Sequence, residues 1–224
     1  MKPAASKWSF RSYILIAKIS WTLLIVMLFA YETYDHYKED RDAARKEAKA
    51  AFEKDLLYRN WSGMHSEIYV PVTEQIRPNP LLQSVAERDI TTPSGRKLTL
   101  LSPAYMVREA LELGTKKQGI ISRLTSLQPL NANNAPDPWE QQALQALAQG
   151  TKEVSSEEVI KGNRYLRFMK PILTEGPCLR CHGAQGYREG DIRGGISISI
   201  PLHGHISSAA TLTVSNVFIF LTIW

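Results

Sequence analysis

Cysteine is almost absent from this chain: two residues in 224, both inside one short stretch, GPCLRCHGAQG, residues 176–186. Two thiols three positions apart cannot frame a small secreted scaffold, so the disulfide-rich class is excluded. A chain of this length has no need of such staples, because it can bury a core of its own. Concentrated positive charge is missing as well. The net charge is +5, and the 27 Lys and Arg residues are scattered rather than gathered on one segment, which leaves nucleic-acid binding without support. There are no internal repeats, no low-complexity tract, and no kinase or cyclase motif.

Long apolar runs, by contrast, are present. Tyr13 to Tyr31 (YILIAKISWTLLIVMLFAY) approaches the ~20 residues that cross a bilayer. Lys18 lies near its N-terminal end, where its stem can reach the head groups, while Tyr13 and Tyr31 bracket the run as interfacial anchors and Trp21 sits within it. Leu28-Phe29-Ala30 lacks small residues at both positions a signal peptidase reads, and the run exceeds the usual ~7–15-residue signal core. The run therefore predicts an uncleaved transmembrane helix over 13–31, preceded by a cytoplasmic tail over 1–12. Basic residues flank both sides (Lys2, Lys7 and Arg11; then Lys38, Arg41, Arg45, Lys46 and Lys49), so charge does not fix the orientation. At the other end, Ala209 to Trp224 is apolar again. Residues 206–224 read as the start of a second, truncated transmembrane helix, with a hydrophobic tail or a buried strand as the alternative.

Between the runs, the pattern alternates. Glu32 to Trp61 has no proline, and Ala44, Ala48, Ala51, Phe52 and Asp55 fall at three- and four-residue steps, predicting a charged helix with one small, apolar stripe that continues from the membrane span. RDITTPSGRKLTLLS predicts two strands around Ser94-Gly95, and Ser102-Pro103 an N-cap followed by a helix-starting proline. Gly119 to Leu127 is a strand candidate, Asp137-Pro138 opens a helix that ends by Gly150, and EVSSEEVIKGNRYLRFMKPIL predicts a hairpin turning at Gly162-Asn163. In RGGISISIPL, Ile196, Ile198 and Ile200 alternate with serines, the pattern of a half-buried strand. Hairpin spacings favour an antiparallel sheet with flanking helices, hence α+β.

CLRCH admits four chemistries. A thioredoxin-like redox pair would sit at a helix start in a βαβ setting, which is missing here. Zinc would require a second Cys/His cluster at suitable spacing. A plain disulfide leaves the adjacent histidine unexplained. C-x-x-C-H is the signature of covalent c-type haem attachment, in which the two thiols form thioethers and the next residue offers its imidazole to iron. Cys178, Cys181 and His182 are the residues so assigned, with one covalent haem c as cofactor. Such haem is attached outside the bacterial cytoplasm, which places residues 32–205 in the periplasm and the protein in the inner membrane.

Several separated segments then occur in a familiar order: RNWSGMHSEIYVPVTEQIRPNP, RDITTPSGRKLTLLSPAYMVRE, NAPDPWE and GPCLRCHGAQGYREGDIRGGISISIP. Over residues 35–203 the chain resembles a family of periplasmic c-type haem sensor domains, long known only as a domain of unknown function. Members occur alone or ahead of histidine kinases and diguanylate cyclases. The resemblance implies a PAS-like fold, with a small antiparallel sheet, flanking helices and a long N-terminal helix packed against the haem. It carries over Cys178, Cys181 and His182 directly. For the distal iron ligand the candidates are His65, Met64, Met106, Met169, His36, His203 and His205, and His65 is preferred for its place in WSGMHSEIYVP. Some relatives use a cysteine near this region, which this chain does not have. Arg193, in GDIRGG, is a candidate for a haem propionate or, equally, for a turn cap; Gly194-Gly195 would let backbone approach the porphyrin. Trp61 and Tyr69 are sized to pack on the ring or to serve as plain core.

The expected function is that of a membrane-anchored sensor, detecting redox state or a diatomic gas and passing the signal through its transmembrane helices. A homodimer and a cytoplasmic output domain or histidine kinase are the expected partners, the former by analogy. A membrane-tethered monohaem electron carrier is the alternative. An enzyme would need an open iron position and distal acid–base groups, which the sequence does not assign.

Overall fold

A computed structural model describes residues 9–65, 68–83 and 85–202. The second apolar segment, 206–224, and the ligand candidates His203 and His205 lie outside the described residues. The chain divides into two units, one of which, as far as it is described, is the helical segment up to Ala43, while the other is Ala44–Leu202.

Helix α1 runs over Phe10–Met64. Its N-terminal part is the one helix among the described residues long and apolar enough to cross a membrane, and no residue of that apolar window is buried. Further along, the helix changes character. Ala44, Ala48, Phe52, Asp55, Arg59 and Ser62 are buried, one residue per turn, and Ala51 is partly so. The stripe expected from the sequence is therefore present, and it extends two turns further through polar residues.

The rest of the second unit is α+β with two antiparallel sheets. Strands β1 (Ile68–Pro71), β2 (Asp89–Thr91) and β3 (Lys97–Leu101) form a three-stranded sheet ordered β1-β3-β2. Helix α2 (Pro103–Gln118) follows, capped by the Ser102 hydroxyl, which accepts from the Tyr105 N–H at 3.3 Å. Strand β4 (Ile121–Thr125), helix α3 (Pro138–Ala148), the hairpin β5 (Val154–Ile160) and β6 (Asn163–Leu173), the one-turn helix α4 (Leu179–His182) and strand β7 (Ile192–Pro201) complete it. The second sheet is ordered β4-β7-β6-β5. The hairpin turns at Lys161-Gly162, one residue earlier than the sequence suggests, because these two residues carry the paired positive φ values, 50° and 82°, of its tight turn.

Strand β7 is buried on both faces rather than one. Ile196, Ile198 and Ile200 meet Ala44, Ala48 and Phe52 of α1, with Leu166, Phe168 and Ile172 from β6 in the same cluster. Ser197 and Ser199, at 2% exposure each, face the other way, toward the side on which α3 packs. There Ala143, Leu144 and Leu147 close on Met169, so Met169, a ligand candidate by sequence, is core. At the centre of this side is Glu140, fully buried and bonded on both carboxylate oxygens: Ser197 Oγ donates to Oε1 at 2.6 Å and the Asp137 N–H to Oε2 at 2.9 Å. Arg167 approaches it at 3.4 Å and donates to Asp137 at 2.8 Å, with its guanidinium 4.3 Å from the Trp139 ring centroid. Small serines on β7 are what give a glutamate on α3 the space and the donor it needs.

Candidate cofactor site

Sequence order brings the CLRCH segment directly after the long strand β6. Thr174 N–H donates to the Asp191 carbonyl at 2.8 Å, and Gly190 N–H donates to the Thr174 carbonyl at 2.9 Å, so the excursion 175–190 is pinned shut at its base. Inside it a 3₁₀ turn (Gly176–Cys178) feeds α4, which carries Cys181 and His182, and a second 3₁₀ turn (Gly183–Gln185) ends at Gly186, whose φ of 89° reverses the chain. Positive φ of this kind favours glycine there.

The loop closes one wall of a cavity of about 370 Å³, within the ~300–1,000 Å³ usual for small-molecule sites. Cys178 and His182 both line it. So do Arg59, Asn60, Gly63 and Met64 from the end of α1, Tyr105 and Arg108 from α2, Leu124 and Thr125 from β4, and Arg193 and Gly194 from β7. The Cys178 sulfur accepts from Arg59 Nη2 at 3.1 Å and from the Glu175 N–H at 3.3 Å. The Cys181 side chain lies outside the described residues.

His182 is held at both ring nitrogens. Nδ1 lies 2.5 Å from Gln185 Oε1, and Nε2 lies 2.5 Å from Arg193 Nη1. Burial, and after it the nearby positive charges of Arg193 and Arg59, hold the imidazole below the ordinary histidine range, against an upward pull from the Gln185 bond. A neutral imidazole at neutral pH is the form that can offer a lone pair to a metal. Arg193, assigned by sequence to a propionate or a turn, here faces the histidine.

His65 ends up differently placed. It is exposed and follows the last residue of α1, with Nδ1 2.9 Å from the Trp61 carbonyl and its ring 4.5 Å from the Trp61 ring. A carbonyl only accepts, so Nδ1 carries the proton and Nε2 is the ring nitrogen with a lone pair. Its neighbours Gly63 and Met64 line the cavity; His65 is not among the lining residues. Trp61 stacks on His65, and the Tyr69 hydroxyl donates to the Glu87 carbonyl, so neither aromatic lines the cavity. His36 is exposed, 3.8 Å from Glu39.

Gly194, which lines the cavity, and Gly195 are also required by the sheet itself. A Cβ on Gly194 would sit 2.3 Å from the Thr125 carbonyl oxygen, and one on Gly195 3.0 Å from the Lys170 carbonyl oxygen. Bare backbone here is what lets β4 and β6 close on β7.

A profile of the Tll0287-like family matches residues 37–201, most of the chain. The chain belongs to the Tll0287-like family. Among solved structures, the crystal structure of the cyanobacterial heme-protein Tll0287 is similar at 18% identity and a TM-score of 0.38, covering 45% of this chain and 73% of that one. None of the curated proteins matches. The Tll0287-like match spans every residue of the cavity wall named above, from Arg59 to Gly194.

Arg59, Arg108 and Gln185 are among the site residues that were not singled out from the sequence. Arg59 was hidden because a charged residue on a charged helix reads as solvated until the helix is known to bury that face. Arg108 likewise falls on a helix with no visible phase. Gln185 was legible in principle, being three residues after His182 and one before a glycine.

Proposed function

We propose that the chain is a membrane-anchored haem-binding sensor domain carrying one c-type haem on Cys178, Cys181 and His182. The observation that carries this reading is the meeting, on one cavity wall, of the Cys178 sulfur and the His182 imidazole, whose Nδ1 faces Gln185 Oε1 and whose Nε2 accepts from Arg193. Bound there on Cys178, Cys181 and His182, the group would supply a redox-active iron. The donor set suits it: a sulfur for thioether attachment, an imidazole whose Nε2 would exchange the Arg193 donor for iron, and two guanidiniums, Arg59 and the Arg193 so released, to balance propionate charge. Family membership supports the same reading, since the Tll0287 for which the family is named is a heme-protein.

In this reading the apolar part of α1 anchors the chain in the bacterial inner membrane and the domain over residues 32–205 lies in the periplasm with a PAS-like fold. The residues that bear a signal are those at the end of α1. Arg59 holds Cys178, Met64 is on the last turn and His65 directly follows it, so a change of ligation at the cavity would act on the same helix that enters the membrane. A homodimer and an output module or partner kinase complete the proposal. The domain itself is assigned no enzymatic activity.

The test is the chain produced with a haem-maturation machinery, compared with Cys178→Ala/Cys181→Ala and with His65→Ala. Covalent haem by pyridine haemochrome in the parent, and none in the double variant, is the expected result; an unlabelled parent would sink the haem reading. For the distal position, a low-spin spectrum that becomes high-spin in His65→Ala and stays low-spin in Met64→Ala supports His65, and the reverse pattern moves the ligand to Met64.

A further inference from the structure

Two bonds to His182 come from groups whose roles are fixed by chemistry rather than by choice. On one side, Gln185 Nε2 lies 3.1 Å from the Gln128 backbone carbonyl. A carbonyl cannot donate, so the amide group, not the oxygen, must face Gln128, and this settles which way round the Gln185 amide is held. Its oxygen is thereby turned to His182 Nδ1 at 2.5 Å, and that oxygen cannot donate either. Nδ1 must carry the proton. On the opposite side, Arg193 Nη1 lies 2.5 Å from Nε2, and a guanidinium has donors only. Nε2 must therefore accept. Two independent neighbours demand the same tautomer.

We propose that Gln185 is the positioning residue of the proximal imidazole: anchored by the Gln128 carbonyl, it holds the proton on Nδ1, keeps Nε2 an acceptor on the cavity wall, where iron would replace the Arg193 donor, and sets how strongly His182 donates to iron. The proposal rests on the haem reading above. Its local cause lies in the chain. Leu179–His182 and the 3₁₀ turn that follows put residues 182 and 185 on one side of a helical turn, and Gly186 at positive φ ends that turn so that Gln185 stays beside the ring. A neutral amide acceptor gives the imidazole intermediate donor strength. A carboxylate at the same place would draw the Nδ1 proton further and enrich the ring, favouring the ferric state, while an apolar group would leave the ring a poorer donor.

The test is a spectroelectrochemical titration of the full haem-loaded chain in detergent, for the parent, Gln185→Glu and Gln185→Leu. Both variants lose the bond to the Gln128 carbonyl, so they differ only in what faces Nδ1. The expected result is a lower midpoint potential for Gln185→Glu and a higher one for Gln185→Leu. Each shift should change the ferric-to-ferrous ratio at a fixed poise by about tenfold or more, a factor of ten being about 59 mV for one electron. Equal potentials in all three, or shifts of the same sign in both variants, overturn the proposal. If Gln185→Leu does not fold, Gln185→Glu alone decides, an unchanged or raised potential overturning it. Absence of covalent haem in the parent would instead overturn the haem reading, and this proposal with it.

Discussion

The four-stranded sheet is covered on both sides by a helix, and both helices bury charge against it, but they do so on opposite terms. On the α3 side every buried charge has a partner. Glu140 is bonded at both oxygens, Arg167 spans Glu140 and Asp137, and Asp137 closes a reciprocal capping box with Glu140. On the α1 side the small stripe Ala44, Ala48 and Phe52 makes an apolar seam, and then Asp55 and Arg59 continue it. Asp55 is 4% exposed with Lys54 at 4.0 Å, and burial raises its pKa to about 6. Arg59 is committed to the Cys178 sulfur. Charge fastens the fold where it is fully paired and is left poorly compensated on the helix that leads to the cavity, which is where a functional region is expected to depart from local consistency.

The largest test of that contrast is Glu140→Ala. Removing the carboxylate takes the acceptor from the Ser197 hydroxyl and the Asp137 N–H and leaves Arg167 with Asp137 as its one carboxylate, and about 3–5 kcal/mol of stability should be lost, read by chemical denaturation of the chain in detergent. A loss below about 1 kcal/mol would mean that the network is not what fastens α3. The opposite sign is expected across the sheet. The Asp55 carboxyl titrates near 6 rather than at its ordinary 3.8, so at pH 7 the fold holds an anion that it disfavours. Asp55→Asn should therefore stabilise the chain at that pH by roughly 1–2 kcal/mol, a tenfold change in proton affinity being about 1.4 kcal/mol before solvent screening reduces it. No gain at pH 7 would mean that the carboxylate is better compensated than its burial implies.

Acid should then separate the two sides. Because the folded pKa of Asp55 is raised, its contribution is fully present below about 4 and is lost as pH rises through about 6, so the advantage of Asp55→Asn should fade between pH 6 and 4. Asp137 behaves the other way. Burial would raise it, but the bonds from Arg167 and the Glu140 N–H outweigh burial and hold it below the ordinary carboxylate range. Its contribution is present at neutral pH and lost as pH falls below about 4, so Asp137→Asn should flatten the acid limb of the stability curve while leaving the pH 4–6 region to Asp55. A single common pH profile for the two variants would erase the distinction. Smallest of all, Arg45→Ala, which breaks the exposed pair with Glu153, should cost no more than about 1 kcal/mol.

Much of this was legible in the chain itself, for reasons that are local. The α1 stripe follows from residues spaced by 3.6 per turn, the α2 and α3 starts from Ser102-Pro103 and Asp137-Pro138, and the β5–β6 hairpin from a glycine flanked by strand-forming runs. CLRCH narrows its own chemistry because three specified residues in five leave few alternatives. What the pattern missed were long-range pairings. Serines alternating with isoleucines on β7 look like a solvated face; only the docking of α3 turns Ser197 into a buried donor. Arg193 reads as a partner for a carboxylate, and the structure brings it to an imidazole nitrogen, because β7 runs beside the loop that carries His182.

Residue order is enough for the periodic and contiguous features: an apolar helix of membrane length, antiparallel hairpins, and a Cys-Cys-His triplet whose members are neighbours along the chain. Folding was needed to decide which charged residues are buried, which of two adjacent residues, Met64 or His65, meets the cavity, and which nitrogen of His182 keeps its proton. Those decisions depend on donors and acceptors that lie anywhere from three to 119 residues apart along the chain, and a hydrogen bond is indifferent to that separation once folding has brought its two ends within about 3 Å.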